Sequence, residues 1–354
     1  MKKWINSLML LLLVGIAILG GCSQQTKQSV SSSNDTSNES SSATDGKVAL
    51  SFATMSEGSA VYVYGATMSQ ILMNNVEQIE RVDVLPYNGG FGNVTLLDTG
   101  KADLGITFDL NNFWARTGTG PSEKEYDNLR VLLGALDQYY VGVLMTNEFM
   151  EEYGIDSIAD IKEKKIPARL LTLGKGSQGE VAAQQVLEAY GLSYEELEGY
   201  GGSVEHTSFD VVKTNIQDGR TDMFIQVMTN GHPAFTEIAL QNPVTFMGIE
   251  DEYVEKLAEF GYSRATLPAG VFNGQDEEVP SVGLRSTVTT TTDLPEEIAY
   301  QFTKTLIEHQ EDLATGHKGL EDFEPQVGIT ESATGGVEIH PGALRYYKEV
   351  GWIK

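Results

Sequence analysis

RLLTLGKGSQGEVAAQQVLEAYG, residues 169–191, holds three signals in one stretch. Leu170, Leu171 and Leu173 make an apolar run of strand length. Gly174, Gly176 and Gly179 break it, and Ala183, Val186, Leu187 and Tyr190 then recur at i, i+3, i+4, i+7. The order is strand, glycine turn, helix. Gly191 follows the last periodic residue as a left-handed cap, and Glu180 sits in the first turn, where the helix dipole favours an acid. The glycines let the backbone approach a ligand closely, and the unpaired amides at the helix start point toward negative charge. Lys175, Gly176, Ser177, Gln178 and Gly179 are therefore candidate contacts for an anion, with a purely structural turn as the bland alternative. The spacing also satisfies G-x-G-x-x-G. A dinucleotide site needs an acid closing a second strand about twenty positions on, whereas Glu195, Glu196 and Glu198 lie there in a polar stretch.

The same plan occurs upstream. Residues 48–53 alternate like a strand, 54–59 are a small-residue loop, and Val61, Tyr64, Gly65, Met68 and Leu72 share one helical face. A second strand, 82–85, is broken by Pro86 and leads through Asn88, Gly89 and Gly90 into a helix containing Val94 and Leu97. A third runs over 104–108. Gly100-Lys101-Ala102-Asp103 precedes that strand, and Gly219-Arg220-Thr221-Asp222 precedes the corresponding strand 223–228. We read two similar βαβαβ units. Strands 129–136 and 140–145 lie between the units. Ser157 to Asp160 fits a capping box, 282–288 reads as one return strand, and helices near 295–309 and 342–350 close the chain. Parallel α/β units place ligands outside the carboxyl ends of their strands. The loops there nominate Met55, Ser56, Ser59, Tyr62, Asn88, Gly89, Asn93, Phe108, Asp109, Asn230 and His232 beside the glycine loop.

The N-terminus is a processing segment. Lys2 and Lys3 precede an apolar core at 8–19, and Leu19-Gly20-Gly21-Cys22 is a small-residue cleavage site ending in cysteine, similar to a bacterial lipobox. The apolar run is shorter than the ~20 residues a membrane span needs. Cys22 is the only cysteine, so no intramolecular disulfide forms and lipidation is its expected use. Residues 23–46, rich in Ser, Thr, Asn and Gln, are expected to be a disordered tether. The protein is thus expected outside the cytoplasm, lipid-anchored to the outer face of the cell membrane. Its 354 residues, 41% of them hydrophobic, suffice for two ordinary domains. Charge excludes nucleic acid as a partner: 24 basic residues face 50 acidic ones, for a net −26.

No cofactor motif or catalytic set is legible. The five histidines show no tight metal spacing. Ser177 misses the G-x-S-x-G elbow, so an extracellular hydrolase using it is an alternative without a partner residue; a sensory ligand-binding module is another.

Larger motifs are more specific. The lipobox, Gly100-Lys101-Ala102-Asp103-Leu104, the Gly176-Ser177 loop with 186–192, Asp218 to Asp222 and Gly231-His232-Pro233 together resemble the TAXI class of TRAP-transporter solute-binding proteins. Leu267-Pro268-Ala269-Gly270, Val279-Pro280-Ser281-Val282-Gly283 and His340-Pro341-Gly342-Ala343-Leu344-Arg345-Tyr346-Tyr347 are similar to that class's C-terminal pattern. The resemblance implies a two-lobed, type II periplasmic-binding-protein fold with the ligand cleft between lobes. The first lobe is expected over 47–138, the second over 139–247, and the return crossover with the rest of the first lobe over 248–354. It also implies capture of a small organic acid, glutamate-like or 2-oxoglutarate-like, for a sodium-coupled TRAP permease, with no enzymatic activity. The class's Thr-Gly-Gly-Thr-Gly-Gly-like first loop stands here as Thr54-Met55-Ser56-Glu57-Gly58-Ser59, and its Gly-Ser-Gly-Thr as Gly176 to Gly179.

Overall fold

The computed structural model describes residues 47–55, 57, 59–87 and 89–354. The signal segment with Cys22, the tether, Ser56 and Asn88 lie outside the described residues. Among those described, no helix is long and apolar enough to cross a membrane.

Among the described residues, twelve strands divide between two sheets. The first contains β1 (Val48–Ala53), β2 (Ile79–Leu85), β3 (Leu104–Phe108), β4 (Leu129–Leu133) and, from far along the chain, β12 (Ser286–Thr291), in the order β2-β1-β3-β12-β4. The second contains β5 (Tyr139–Thr146), β6 (Arg169–Leu173), β7 (Ser203–Thr207), β8 (Met223–Thr229), β10 (Ser263–Leu267) and β11 (Val279–Leu284). Its order is β10-β11-β5-β8-β6-β7, and β9 (Val244–Met247) also pairs with β5. In each sheet the βαβ strands run parallel, β2-β1-β3 and β7-β6-β8, while the strands that cross between sheets are antiparallel to their neighbours. This is a two-lobed α/β fold of the type II binding-protein kind.

Two anchors repeat between the lobes. Asp103 Oδ2 accepts from Ser51 N at 2.7 Å and from Ser51 Oγ at 2.6 Å, while Asp222 Oδ2 accepts from Arg169 N at 2.8 Å and Nε at 2.9 Å. Each aspartate therefore ties the start of the third strand of its βαβαβ unit to the first strand of that unit. The preceding glycines, Gly100 at φ 65° and Gly219 at φ 64°, are both left-handed, a geometry costly for residues with a Cβ. The shared spacing of the two motifs reports this shared job.

The return is split. The run 282–288, expected as one strand, ends β11 at Leu284, leaves Arg285 between lobes, and begins β12 at Ser286. Within 248–354, β10 and β11 pair on the second sheet before the chain returns to the first. Alternation cannot show this break, because both strands are buried along most of their length.

Beneath the crossing lies a buried polar network. Thr107 Oγ1 lies 2.8 Å from the hydroxyls of both Thr287 and Thr289 and donates to Asn112 Oδ1 at 2.9 Å. Asn112 Nδ2 in turn donates to Thr287 Oγ1 at 3.1 Å. A satisfied network of this kind is rigid. It seats the helix Asp109–Thr117 on β3 and β12, and that helix projects Asn111 and Trp114 toward the second lobe.

Candidate functional site

The carboxyl ends of β1 to β3 face those of β6 and β8, so the loops following them meet between the lobes. Where they meet, Asn111 Nδ2 donates to Gln178 Oε1 at 2.8 Å, and a Cβ on Gly90 would stand 3.4 Å from the same oxygen. Gly89, at φ 71°, presses on Met55, whose Cγ would lie 2.2 Å from an added Cβ. Gly179 is equally constrained, since its Cβ would fall 1.5 Å from Gln226 Oε1.

The glycine loop already holds an anion, and that anion is its own. Ser177 caps the helix Gln178–Ala189 by accepting from Glu180 N at 3.3 Å. The buried Glu180 carboxylate reaches back to accept from Gly176 N at 3.1 Å. This reciprocal capping arrangement satisfies an amide that the strand-turn-helix reading reserves for a ligand. Glu180 also accepts from Gln184 Nε2 at 2.5 Å and lies 3.5 Å from His206 Nε2. The Ser177 hydroxyl is thus used as a cap, and Lys175 is exposed at the loop.

Several other nominated residues serve the scaffold. Asn93 Nδ2 donates to Ile106 O at 2.7 Å and Thr54 O at 3.1 Å, holding the ends of β1 and β3 together, while its Oδ1 is buried without a partner. Ser59 caps the helix Ala60–Asn75 by accepting from Tyr62 N at 3.1 Å, and Tyr62 is half-buried on that helix. Phe108 is buried edge-on against Tyr139, 5.1 Å between ring centroids. His232 Nδ1 accepts from Ala234 N at 3.3 Å at the start of the helix Pro233–Gln241, and its ring packs on Phe209 and Phe235. Burial pushes its pKa down to about 4, so at neutral pH His232 supplies no positive charge.

Asp109 lies at the crossing. Its Oδ1 accepts from Leu110 N at 2.7 Å and from Arg285 N at 3.0 Å, and Asp109 N donates to Arg285 O at 2.9 Å. Burial raises its pKa to about 7, against the lowering effect of those two amides and the Arg285 charge. Asp137, in the other crossing segment at 134–138, accepts from the Ser286 amide at 3.2 Å and from the Ser286 hydroxyl. Two buried carboxylates thus hold successive amides of the strand that passes between the lobes.

A cavity of about 450 Å³ opens beside this crossing, within the range of small-molecule sites. Ala135, Asp137, Gln138 and Arg285 of the crossings, Tyr140 and Asn230 of the second lobe, and Glu321, Asp322 and Glu324 of the first line it. Of the nominated residues, Asn230 is among these lining residues. Arg285 is half-buried; its Nε donates to Gln138 Oε1 at 3.0 Å and its Nη1 lies 3.5 Å from Glu324 Oε2. The available sequence signal was a charged residue interrupting an apolar strand run, at Asp137 after Leu136 and at Arg285 after Leu284. Among the described residues, no group of three or more His, Cys, Asp or Glu side chains is placed to hold a metal ion.

Strand order and crossings together define a two-lobed α/β fold of the type II kind, with a cavity beside the crossings. The chain belongs to the NMT1-like family, which it matches over residues 52–351. Among solved structures it is similar to the periplasmic aliphatic sulphonate binding protein SsuA from Escherichia coli, at 13% identity over 85% of this chain and 82% of that one, with a TM-score of 0.44. It is also similar to MatC from Rhodopseudomonas palustris with bound malate, at 12% identity over 79% of this chain and 93% of that one, with a TM-score of 0.47.

Proposed function

We propose that this chain is an extracytoplasmic solute-binding lipoprotein of the TAXI type. In this reading it captures a small organic acid of the glutamate or 2-oxoglutarate kind between its lobes and delivers it to a sodium-coupled TRAP permease. The observation that carries the reading is the cavity between the lobes, whose wall includes the half-buried Arg285 guanidinium. A guanidinium presents a fork of donors matched to a carboxylate, and a half-buried one is screened less than a surface charge. The crossings at 134–138 and Arg285 are the joints about which the lobes would close. The lipobox supports the location, and the C-terminal motif supports the transporter class. The tether then lets a lipid-held lobe pair reach a membrane partner.

A thermal-shift screen of amino acids, 2-oxo acids and dicarboxylates tests the proposal. A ligand at 100 times its Kd stabilises by about 2.7 kcal/mol, so the expected result is a clear rise in Tm for at least one compound. Silence across the whole panel would sink the organic-acid reading. Arg285→Ala should then weaken the responding compound about tenfold or more, because a hydrogen bond to a charged group contributes about 1.5–3 kcal/mol. Loss of affinity under threefold would remove Arg285 from the site.

The anchor has its own test. Cys22→Ser is expected to move the protein from the membrane fraction to the soluble one, since Cys22 is the only thiol and ends the lipobox. Unchanged sedimentation with membranes would count against lipidation.

A further inference from the structure

The helix Asp109–Thr117 is built into the first lobe, yet its outermost bond goes to the second. Asn112 fixes it in the threonine network of β3 and β12, and Gly335, left-handed at φ 64°, lets the chain lie against its start, where a Cβ would stand 2.0 Å from Asp109 O. The helix therefore moves with the first lobe. Toward the second lobe, Asn111 Nδ2 donates to Gln178 Oε1 at 2.8 Å and Trp114 Nε1 to Phe260 O at 2.7 Å. Gly261, at φ 100°, lies directly on the helix: a Cβ there would fall 2.5 Å from Phe113 Cδ1 and 2.9 Å from Leu110 Cδ1. Only a residue without a side chain seats so closely. The Tyr262 hydroxyl donates to Gln185 Oε1 at 2.8 Å and stands beside the Gln178 amide. Residues 260–262 thus meet, one after another, the helix or the side chain it bonds. Leu110, Asn111, Trp114, Gln178, Gln185 and Tyr262 are all buried. Contacts between domains that move freely are more exposed and more polar than this seam.

The start of the helix is tied to the crossing, where Asp109 is bonded to Arg285. Trp114 lies about 8 Å further along the helix axis. A rotation of the lobes about the crossing must therefore break Asn111–Gln178 and Trp114–Phe260 and lift Gly261 from its seat. We propose that this helix is a clasp by which the chain's own contacts keep the lobes closed at rest, with Asn111 on Gln178 as the bolt and Gly261 as the seat. The clasp works whichever solute the cavity takes, so it stands apart from the organic-acid reading. Gln178 then governs entry through the spacing of the lobes and not by touching the solute.

Trp114 reports on the clasp, because its indole N–H meets water once Phe260 withdraws. In the full chain in detergent, Trp4→Phe and Trp352→Phe leave it as the only indole. After exhaustive dialysis with no solute added, the expected result is blue-shifted emission and weak acrylamide quenching. Gly261→Leu drives a wedge into the seat and leaves the core of each lobe intact. It is expected to shift the emission to the red and raise the quenching constant severalfold, with the thermal transition still present. Gln178→Ala, which removes the bolt but keeps the Asn111 cap on Phe108 N, should fall between the parent and the wedge. Strong quenching in the parent means that the lobes rest open, and overturns the clasp. So does a folded Gly261→Leu that stays as shielded as the parent. Should that variant lose its thermal transition, Gly261→Ala combined with Gln178→Ala, a smaller wedge without the bolt, replaces it: exposure of Trp114 supports the clasp and continued shielding overturns it. Failure here leaves the solute-binding reading to the thermal-shift screen, which tests it separately.

Discussion

Asp109→Asn is expected to become steadily more stable relative to the parent protein as pH rises from 4 to 8, by about 4 kcal/mol over that range. The Asp109 carboxyl is buried where the helix Asp109–Thr117 meets the Arg285 crossing, and its pKa is raised to about 7, chiefly by burial. A carboxyl whose folded pKa lies above its unfolded value of about 3.9 favours folding fully only below that value. The contribution is then lost as pH climbs through the folded pKa near 7. Asparagine cannot ionise, so the variant lacks this loss. Asp137, raised to about 6 mainly by burial, and His232, lowered to about 4, titrate in the same window with opposite signs. Both remain in the variant, so the difference between the two proteins removes most of their effect. Denaturant melts of both proteins at pH 4, 6 and 8 measure it. A difference that stays flat within about 1 kcal/mol would mean that the two amides and the Arg285 charge, not burial, set the state of Asp109.

Trp114→Ala should cost about 3–5 kcal/mol of stability, the usual range for emptying a buried aromatic site. The ring is 1% exposed, and a Cβ on Gly120, at φ 58°, would lie 2.8 Å from its indole carbons, so the surrounding chain is folded closely over it. Its Nε1 donates to Phe260 O at 2.7 Å, which joins the first-lobe helix to the end of the second-lobe helix Asp251–Glu259. Trp114→Phe separates the two contributions. It keeps much of the apolar volume but removes the donor, and about 1 kcal/mol is expected from that loss. Urea unfolding of both variants is the measurement. If the phenylalanine variant is as damaged as the alanine variant, the interlobe hydrogen bond matters more than the packing.

Local pattern carried the α/β reading because period-2 and period-3.6 hydrophobicity report which face of an element is buried. The strand-turn-helix at 169–191, the three strands from Val48 to Phe108 and the serine cap at Ser157 all form where their residues indicate. The paired Gly-basic-x-Asp motifs, too, belong to equivalent strand anchors. Other features depend on residues distant in sequence. Glu180 lies four residues beyond the amide it binds, close enough to be suspected. Its direction into the loop is set by burial against Tyr194 and His206. The unprotonated state of His232 follows from aromatic rings on separate elements.

The cavity is the clearest case. Asp137, Tyr140, Asn230, Arg285 and Glu321 to Glu324 span nearly two hundred positions of chain, and no periodicity relates them. They come together because the chain leaves the first sheet at 134–138, builds the second, and returns through Arg285. Sequence pattern establishes which strands and helices form and which faces they bury, since those choices are made by neighbours a few residues apart. Which charges share a wall depends on long-range pairing and on the crossing of two strands between lobes, and that is a property of the folded chain alone.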